Sequence, residues 1–208
     1  MTETLDLIVI GAGMAGINAA KKCSQAGWSV AIVDELPYGG TCALRGCDPK
    51  KMLRAGAEAV EAVRLLEGKG VAGETRIDWP TLMKHKESFT DPVPESMESA
   101  LTEAGVKTLH GRARFTAEDR IEIDGYGEIA FRRALIATGA KPRPLKFPGA
   151  ERLIDSTDFL NLAELPRRIA FVGGGYISFE FAHIAALAGA EVTILDRGAR
   201  QLKMFDPE

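Results

Sequence analysis

The sequence predicts an α/β fold built from two copies of one strand–turn–helix–strand unit, with a small antiparallel β-meander between them. Three observations predict it. Short, almost wholly apolar runs end at glycine, as strands do when a parallel sheet is covered on both faces. The pattern that opens the chain returns after a proline-rich stretch. The composition is that of a folded chain: of 208 residues, 46% are hydrophobic and 26% charged, and the formal net charge is −3. That apolar content excludes a disordered chain, and the slight acidity argues against a nucleic-acid binder held by a basic field. No apolar run reaches the ~18 residues that span a membrane. The Met-Thr-Glu-Thr start lacks the basic and apolar regions of a secretory signal. Three cysteines are too few for a secreted disulfide scaffold. The expectation is a cytoplasmic protein with neither nucleic-acid nor membrane partners.

The elements follow in order. Leu5 to Ile10 reads as a buried strand ending at Gly11. Gly13 to Ala26 reads as a helix stopped by Gly27. Trp28 to Val33 is a second buried strand, closed by Asp34. Tyr38-Gly39-Gly40 is a glycine-rich turn. From Pro49 to about Glu67, Met52, Ala55, Ala59, Val63 and Leu66 recur at helical spacing, with Asp48 as the expected N-cap and Pro49 at the first helical position. Residues 68–92 are mixed, and Pro94 to Ala104 is another helix, ended by Gly105. Val106–Leu109, Arg112–Phe115, Ile121–Ile123 and Ile129–Phe131 are short strands, the later ones forming the meander. Ala134–Ala137 is a buried strand that stops at Thr138-Gly139. Residues 141–149, with their prolines, read as a linker. The opening pattern then returns: strand Ile169–Val172, turn Gly173–Gly175, helix Tyr176–Ala188, stop Gly189, strand Glu191–Leu195 and acid Asp196.

Each copy carries the signature of a dinucleotide site. In Gly11-Ala-Gly13-Met-Ala-Gly16, the first glycine permits a tight turn. The second lets the backbone approach a pyrophosphate, and the third lets helix and strand pack closely. The helix N-terminus offers N–H groups and partial positive charge to phosphates, and Asp34 can accept hydrogen bonds from ribose hydroxyls. Gly173-Gly-Gly175-Tyr-Ile-Ser178 repeats the arrangement, with a serine in the third position. There Asp196 favours NAD(H), while Arg197, Arg200 and Lys203 could grip a 2′-phosphate, so NADH and NADPH both stay open.

Cys42 and Cys47 lie five positions apart in Gly39-Gly40-Thr41-Cys42-Ala-Leu-Arg-Gly46-Cys47-Asp48-Pro49-Lys50. In a regular α-helix that spacing separates the Cα atoms by roughly 8–9 Å, whereas a disulfide needs them within about 7 Å. Either the two are not bonded or the backbone is irregular, and Gly46 and Pro49 supply irregularity. In a cytoplasmic chain such a pair reads as a redox disulfide rather than a structural one. No zinc spacing is present, so no metal is expected. Cys23 reads as a small core residue, and His85, His110 and His183 as structural or solvated.

Gly-Gly-Thr-Cys-x₄-Cys-x-Pro-Lys, between an N-terminal GxGxxG and a second glycine loop, resembles the flavin-dependent pyridine nucleotide–disulfide oxidoreductases, which include the glutathione, mercuric and dihydrolipoamide enzymes. The resemblance implies two Rossmann-like units, an FAD-binding domain over residues 1–149 and the first βαβ portion of an NAD(P)-binding domain over residues 150–208. It implies FAD at Gly11, Gly13, Met14, Ala15, Gly16, Asp34, Glu35, Gly40, Thr41, Cys42, Cys47, Lys50, Ala113, Thr138 and Gly139. It implies NAD(P)H at Gly173, Gly175, Tyr176, Ile177, Glu180, Asp196, Arg197 and Lys203. The catalytic set would be Cys42, Cys47, Lys50 and Glu180. Cys47 would stand beside the flavin and Cys42 would exchange with substrate. Lys50 would pair with Glu180 near the flavin's reactive nitrogen, and Tyr176 would cover the ring until nicotinamide displaces it. Electrons would pass from NAD(P)H through flavin to the cysteine pair and on to a small disulfide or related substrate. Met14 and Lys21 stand where glutathione reductases carry serine and arginine.

Chains of that family are about twice this long. The second unit is therefore expected to be incomplete, and the Gly-Asp segment and the C-terminal dimerisation domain with its His–Glu pair to be missing. The expectation is that this chain alone does not sustain turnover, although the full-length form is a homodimer. The alternatives are a flavoprotein electron carrier without disulfide chemistry and a non-catalytic nucleotide-binding fragment.

Overall fold

The computed structural model describes residues 4–206. In chain order the elements begin β1 (Leu7–Ile10), α1 (Met14–Gln25), β2 (Val30–Asp34), α2 (Gly40–Arg45), α3 (Cys47–Leu65), α4 (Trp79–Thr90) and α5 (Val93–Glu103). Then come β3 (Lys107–His110), β4 (Ala113–Ala117), β5 (Arg120–Ile123), β6 (Gly127–Ala130) and β7 (Ala134–Ile136). A 3₁₀ turn at Ala150–Arg152 precedes α6 (Ser156–Phe159), β8 (Arg168–Val172), α7 (Tyr176–Leu187) and β9 (Glu191–Leu195). The fold is mixed α/β with parallel sheets, as the sequence predicts. None of the described helices is long and apolar enough to cross a membrane.

Two compact units form. The first joins the described residues up to Asp48 with Phe89–Leu153, and the second joins Pro49–Ser88 with Ile154 onward. In the first unit a four-stranded parallel sheet runs in the order β3-β2-β1-β7, and β4-β5-β6 make a separate antiparallel meander. Leu7, Val9, Val30 and Ile32 pack on one face with Ile17 and Ala20 of α1 and Leu101 of α5. On the other face Ile8, Ala31 and Val33 pack with Ile121, Ile123 and Phe131. Both faces of β1 and β2 are covered, which is why their sequences are continuous apolar runs rather than alternating ones. Each fully buried Ile or Leu contributes roughly 1.5–3 kcal/mol, so these two strands anchor the unit. Tyr38 adds a polar tie: its hydroxyl donates to Leu109 O (2.8 Å) and accepts from Leu109 N–H (3.0 Å). Burial pushes that phenol well above the ordinary tyrosine range.

In the second unit β8 and β9 form a two-stranded parallel sheet. Phe181, Ile184 and Ala185 of α7 are buried with Leu53 and Ala57 of α3, Trp79 and Met83 of α4, and Phe159 of α6. Phe159 stacks on Phe181 with ring centroids 4.3 Å apart, and Trp79 meets Phe159 edge-on at 6.0 Å. Trp79 Nε1–H donates to Leu162 O at 2.7 Å, and the buried Lys86 Nζ donates to Leu160 O at 3.0 Å.

That cluster explains why the compact units do not follow the intervals 1–149 and 150–208. The apolar faces of α3 and α4 are buried among residues far later in the chain. Residues 68–92, read as mixed, contain α4. The turn at Gly39-Gly40 continues into α2, which the sequence reading missed. α3 begins at Cys47, so Asp48 and Pro49 sit inside its first turn and Asp48 is not the cap. Residues 137–149 carry no helix or strand.

Candidate dinucleotide sites and the cysteine pair

The first glycine loop is shaped by backbone crowding. Gly11, at φ +107°, donates its N–H to Val33 O (2.8 Å), and a Cβ placed on it would stand 2.3 Å from Ala137 O. A Cβ on Gly16 would stand 1.9 Å from Gly11 O, so Gly16 is the contact that lets α1 lie against β1. Gly13 caps α1 without a side chain, and the first turn of α1 holds no acidic residue. Its N–H groups and dipole are therefore available to an anion.

Asp34 does more than wait for a ribose. Its Oδ2 accepts from Ala12 N–H (2.7 Å) and its Oδ1 from Leu36 N–H (2.9 Å), which pins the glycine loop to the end of β2. Each carboxylate oxygen keeps a lone pair for a further donor.

One cleft of about 240 Å³ gathers Gly11, Gly13, Asp34, Glu35, Gly40, Thr41, Ala113, Thr138 and Gly139. Other predicted residues lie elsewhere. Gly16 is buried against Gly11, while Met14 and Ala15 are exposed on the first turn of α1. Neither Cys42 nor Cys47 lines this cleft. Leu36, Arg45 and Arg112 line it and were not predicted; the one cation between the two cysteines was the available signal for Arg45. A larger open groove of about 860 Å³ lies beyond the Glu35–Tyr38 loop, but Glu35, Glu95, Glu98 and Glu103 line it. Those carboxylates repel phosphate and no arginine or lysine offsets them, whereas in the smaller cleft Arg45 and Arg112 balance Asp34 and Glu35 and backbone N–H groups are at hand. The smaller cleft is the nucleotide candidate.

The cysteines settle the spacing question. Cys42 lies in α2, Gly46 breaks the chain at φ −154° and ψ −107°, and Cys47 opens α3. The backbone between them is irregular, so the separation of a regular helix does not apply. Both are thiols in this structure, Cys42 half-buried and Cys47 exposed.

Lys50 and Glu180, 130 positions apart, meet within the second unit: Lys50 Nζ donates to Glu180 Oε1 at 2.7 Å. Glu180 Oε2 is buried with no hydrogen-bond partner among the described residues. In the second glycine loop, Gly173 takes φ +113° and donates to Leu195 O at 2.8 Å. Gly175 caps α7 without a side chain, and Tyr176 and Ile177 are exposed on its first turn. A Cβ on Gly174 would stand 2.7 Å from Asp196 Oδ2, so that acid backs the loop. Arg197 and Lys203 are exposed.

The chain is similar to several known proteins. The family described as "Pyridine nucleotide-disulphide oxidoreductase" matches residues 5–208. A glutathione reductase of Burkholderia cepacia is 37% identical over 204 residues, covering 98% of this chain and 45% of that protein. A dihydrolipoyl dehydrogenase of Chlamydia trachomatis is 33% identical over 217 residues, covering 100% and 46%. The solved structure of the HOCl-induced flavoprotein disulfide reductase RclA from Escherichia coli, a Cu(II) complex, superposes with a TM-score of 0.85 at 28% identity, covering 99% of this chain and 45% of that one. The chain spans a little under half the length of the relatives it matches.

Proposed function

From the premise that this chain belongs to the pyridine nucleotide-disulphide oxidoreductase family, we propose that it carries the flavin and cysteine portion, with the start of the NAD(P)H portion, of an FAD-dependent disulfide oxidoreductase. The observation that carries this reading is the cleft: nine of the residues expected to hold FAD line one depression, and Thr41 in its wall is followed directly by Cys42. On this reading residues 1–149 supply the flavin site and residues 150–208 the first part of the nicotinamide-nucleotide site.

The residues present fit the groups. The N-terminus of α1, with Gly13, would hold the pyrophosphate of FAD, Arg45 and Arg112 would add positive charge, and Asp34 and Glu35 would accept from ribose. Gly173, Gly175, Tyr176 and Ile177 would hold the nicotinamide nucleotide, with Asp196, Arg197 and Lys203 at its adenosine ribose. FAD, when bound, supplies the two-electron step between nicotinamide and sulfur. The chain's own chemistry is thiol–disulfide exchange. The Cys42 thiolate attacks one sulfur of the substrate disulfide and expels the other as a thiolate. Cys47 then attacks Cys42, forming the Cys42–Cys47 disulfide and releasing the second substrate thiolate. The substrate gains two electrons and the cysteine pair loses two. Lys50, held by Glu180, would supply a fixed cation. A small disulfide or related molecule is the proposed substrate. The cytoplasm, where thiols stay reduced, is the proposed compartment, and a homodimer the proposed form of the full-length enzyme.

The test is spectroscopic. The purified chain, incubated with FAD, is expected to turn yellow after gel filtration. Partial reduction by NADH or NADPH should raise a long-wavelength absorption that Cys47→Ser abolishes. A chain that retains no FAD, or a band indifferent to Cys47→Ser, overturns the assignment.

A further inference from the structure

Three successive glycines, Gly173 to Gly175, give the second loop no side chain with which to hold its own shape. The segment after β9 holds it instead. Leu202 N–H donates to Gly174 O at 2.9 Å, and Gln201 Cγ lies 3.0 Å from the point a Gly174 Cβ would occupy. Phe205 N–H turns back to Leu202 O at 2.9 Å, the Arg200 guanidinium donates to Phe205 O, and the Phe205 ring stands edge-on to Tyr176 at 6.4 Å. To make its bond Leu202 takes φ +49°, the one positive φ at a non-glycine among the described residues. Such backbone is rarely held by a branched apolar residue unless its surroundings demand it.

The direction of the Leu202 bond matters. The Gly174–Gly175 peptide is trans, so its carbonyl and its N–H point opposite ways. Turning the carbonyl toward Leu202 aims the Gly175 N–H away from the segment. Gly175 is the N-cap of α7, where N–H groups meet anions. We propose that residues 201–205 form a strap, with Leu202 as its positioning residue, that presets the second glycine loop to receive the pyrophosphate of a dinucleotide. The inference rests on the nucleotide-binding reading above and adds to it a device that the glycine signature does not contain.

The experiment titrates the ¹⁵N-glycine-labelled 208-residue chain with ADP-ribose and with adenosine, reading affinity by calorimetry and the Gly175 amide by NMR. Leu202→Pro removes the N–H and locks φ at a negative value. It should weaken ADP-ribose about tenfold, the equivalent of one hydrogen-bonded constraint, and shrink the Gly175 response. Leu202→Gly keeps the N–H and adopts the left-handed backbone freely, so it should rescue affinity to within about twofold of wild type. Phe205→Ala, at an exposed ring, should weaken ADP-ribose about threefold, a fraction of that constraint. Adenosine, which has no phosphate, should bind all four chains alike. A wild-type chain that does not bind ADP-ribose sinks the nucleotide-binding reading itself. A wild-type chain that binds while Leu202→Pro and Phe205→Ala bind equally well sinks the strap alone. An equal loss for adenosine also sinks it, because that shows general packing. If Leu202→Pro does not fold, Phe205→Ala decides.

Discussion

Replacing Gly16 with alanine sets a methyl group 1.9 Å from Gly11 O and 3.2 Å from a Val9 methyl carbon. The first distance is more than an ångström short of the 3.0 Å below which real Cβ contacts essentially never fall. The obstructing atom is backbone, fixed by the Gly11 N–H bond to Val33 O, so no rotamer change relieves it. α1 must move off β1, loosening Ile17 and Ala20 from Val9 and Ile32. Overpacking that side chains can absorb costs ~1–3 kcal/mol, so this change belongs at about 3 kcal/mol or more. At ~4–8 °C per kcal/mol for a domain near this size, the melting temperature of the first unit should fall by roughly 12–24 °C. Thermal melts followed by far-UV circular dichroism and calorimetry measure it. Gly13→Ala is the paired control, because a Cβ there meets only Gly40 Cα, at 3.8 Å. It should cost about 1 kcal/mol or less as a helix-cap change while obstructing the cleft and lowering FAD affinity. A Gly16→Ala chain that melts within about 3 °C of wild type, less than 1 kcal/mol on the same scale, refutes the close-packing argument.

Asp34→Asn leaves one acceptor where two backbone donors now converge. It should lower stability by about 1–3 kcal/mol, seen as a lower urea midpoint at unchanged slope, together with weaker FAD binding. Lys50→Met removes the partner of Glu180, whose other oxygen lacks one among the described residues. Because the pair is partly exposed, the loss should be roughly 1 kcal/mol, with most of it restored by adding Glu180→Gln; a double-mutant cycle with no coupling counts against the pair. Acid should weaken the first unit through Asp6, whose carboxyl is held below its ordinary range by the Ser29 backbone N–H, then the Ser29 hydroxyl, then Arg132. A lowered native pKa gives stability that is complete above the unfolded value near 4 and lost as pH falls through the native one. The melting temperature of Asp6→Asn should accordingly fall less steeply than that of wild type below about pH 4.

The features legible in the sequence are those whose cause is local. β1 and β2 announce themselves because a strand covered on both faces has no polar side to show. The glycine loops do so because a turn at φ +107° and a 1.9 Å approach tolerate no other residue. α4 was not legible: its buried residues Trp79, Met83, Lys86 and Thr90 are few, two of them are polar, and the rest of the helix is mostly polar. Trp79 and Met83 are buried in a cluster with Leu53, Phe159, Leu160 and Phe181, and Lys86 reaches Leu160 O. α2 has just six residues, too short for a helical period to emerge from a segment dominated by glycine and cysteine.

The sequence by itself determined the fold class, the two glycine turns and the cysteine spacing, since each is written in neighbouring residues under steric or hydrogen-bonding constraint. Tertiary structure alone decided which residues share the cleft, bringing Arg45 and Arg112 to the turn at Gly11 and committing Asp34 to Ala12 N–H and Leu36 N–H. It also decided that α3 and α4 are buried with α7, and that Leu202 turns back onto Gly174. These depend on contacts between residues distant in the chain, and side-chain chemistry along a sequence does not encode the path by which the backbone returns.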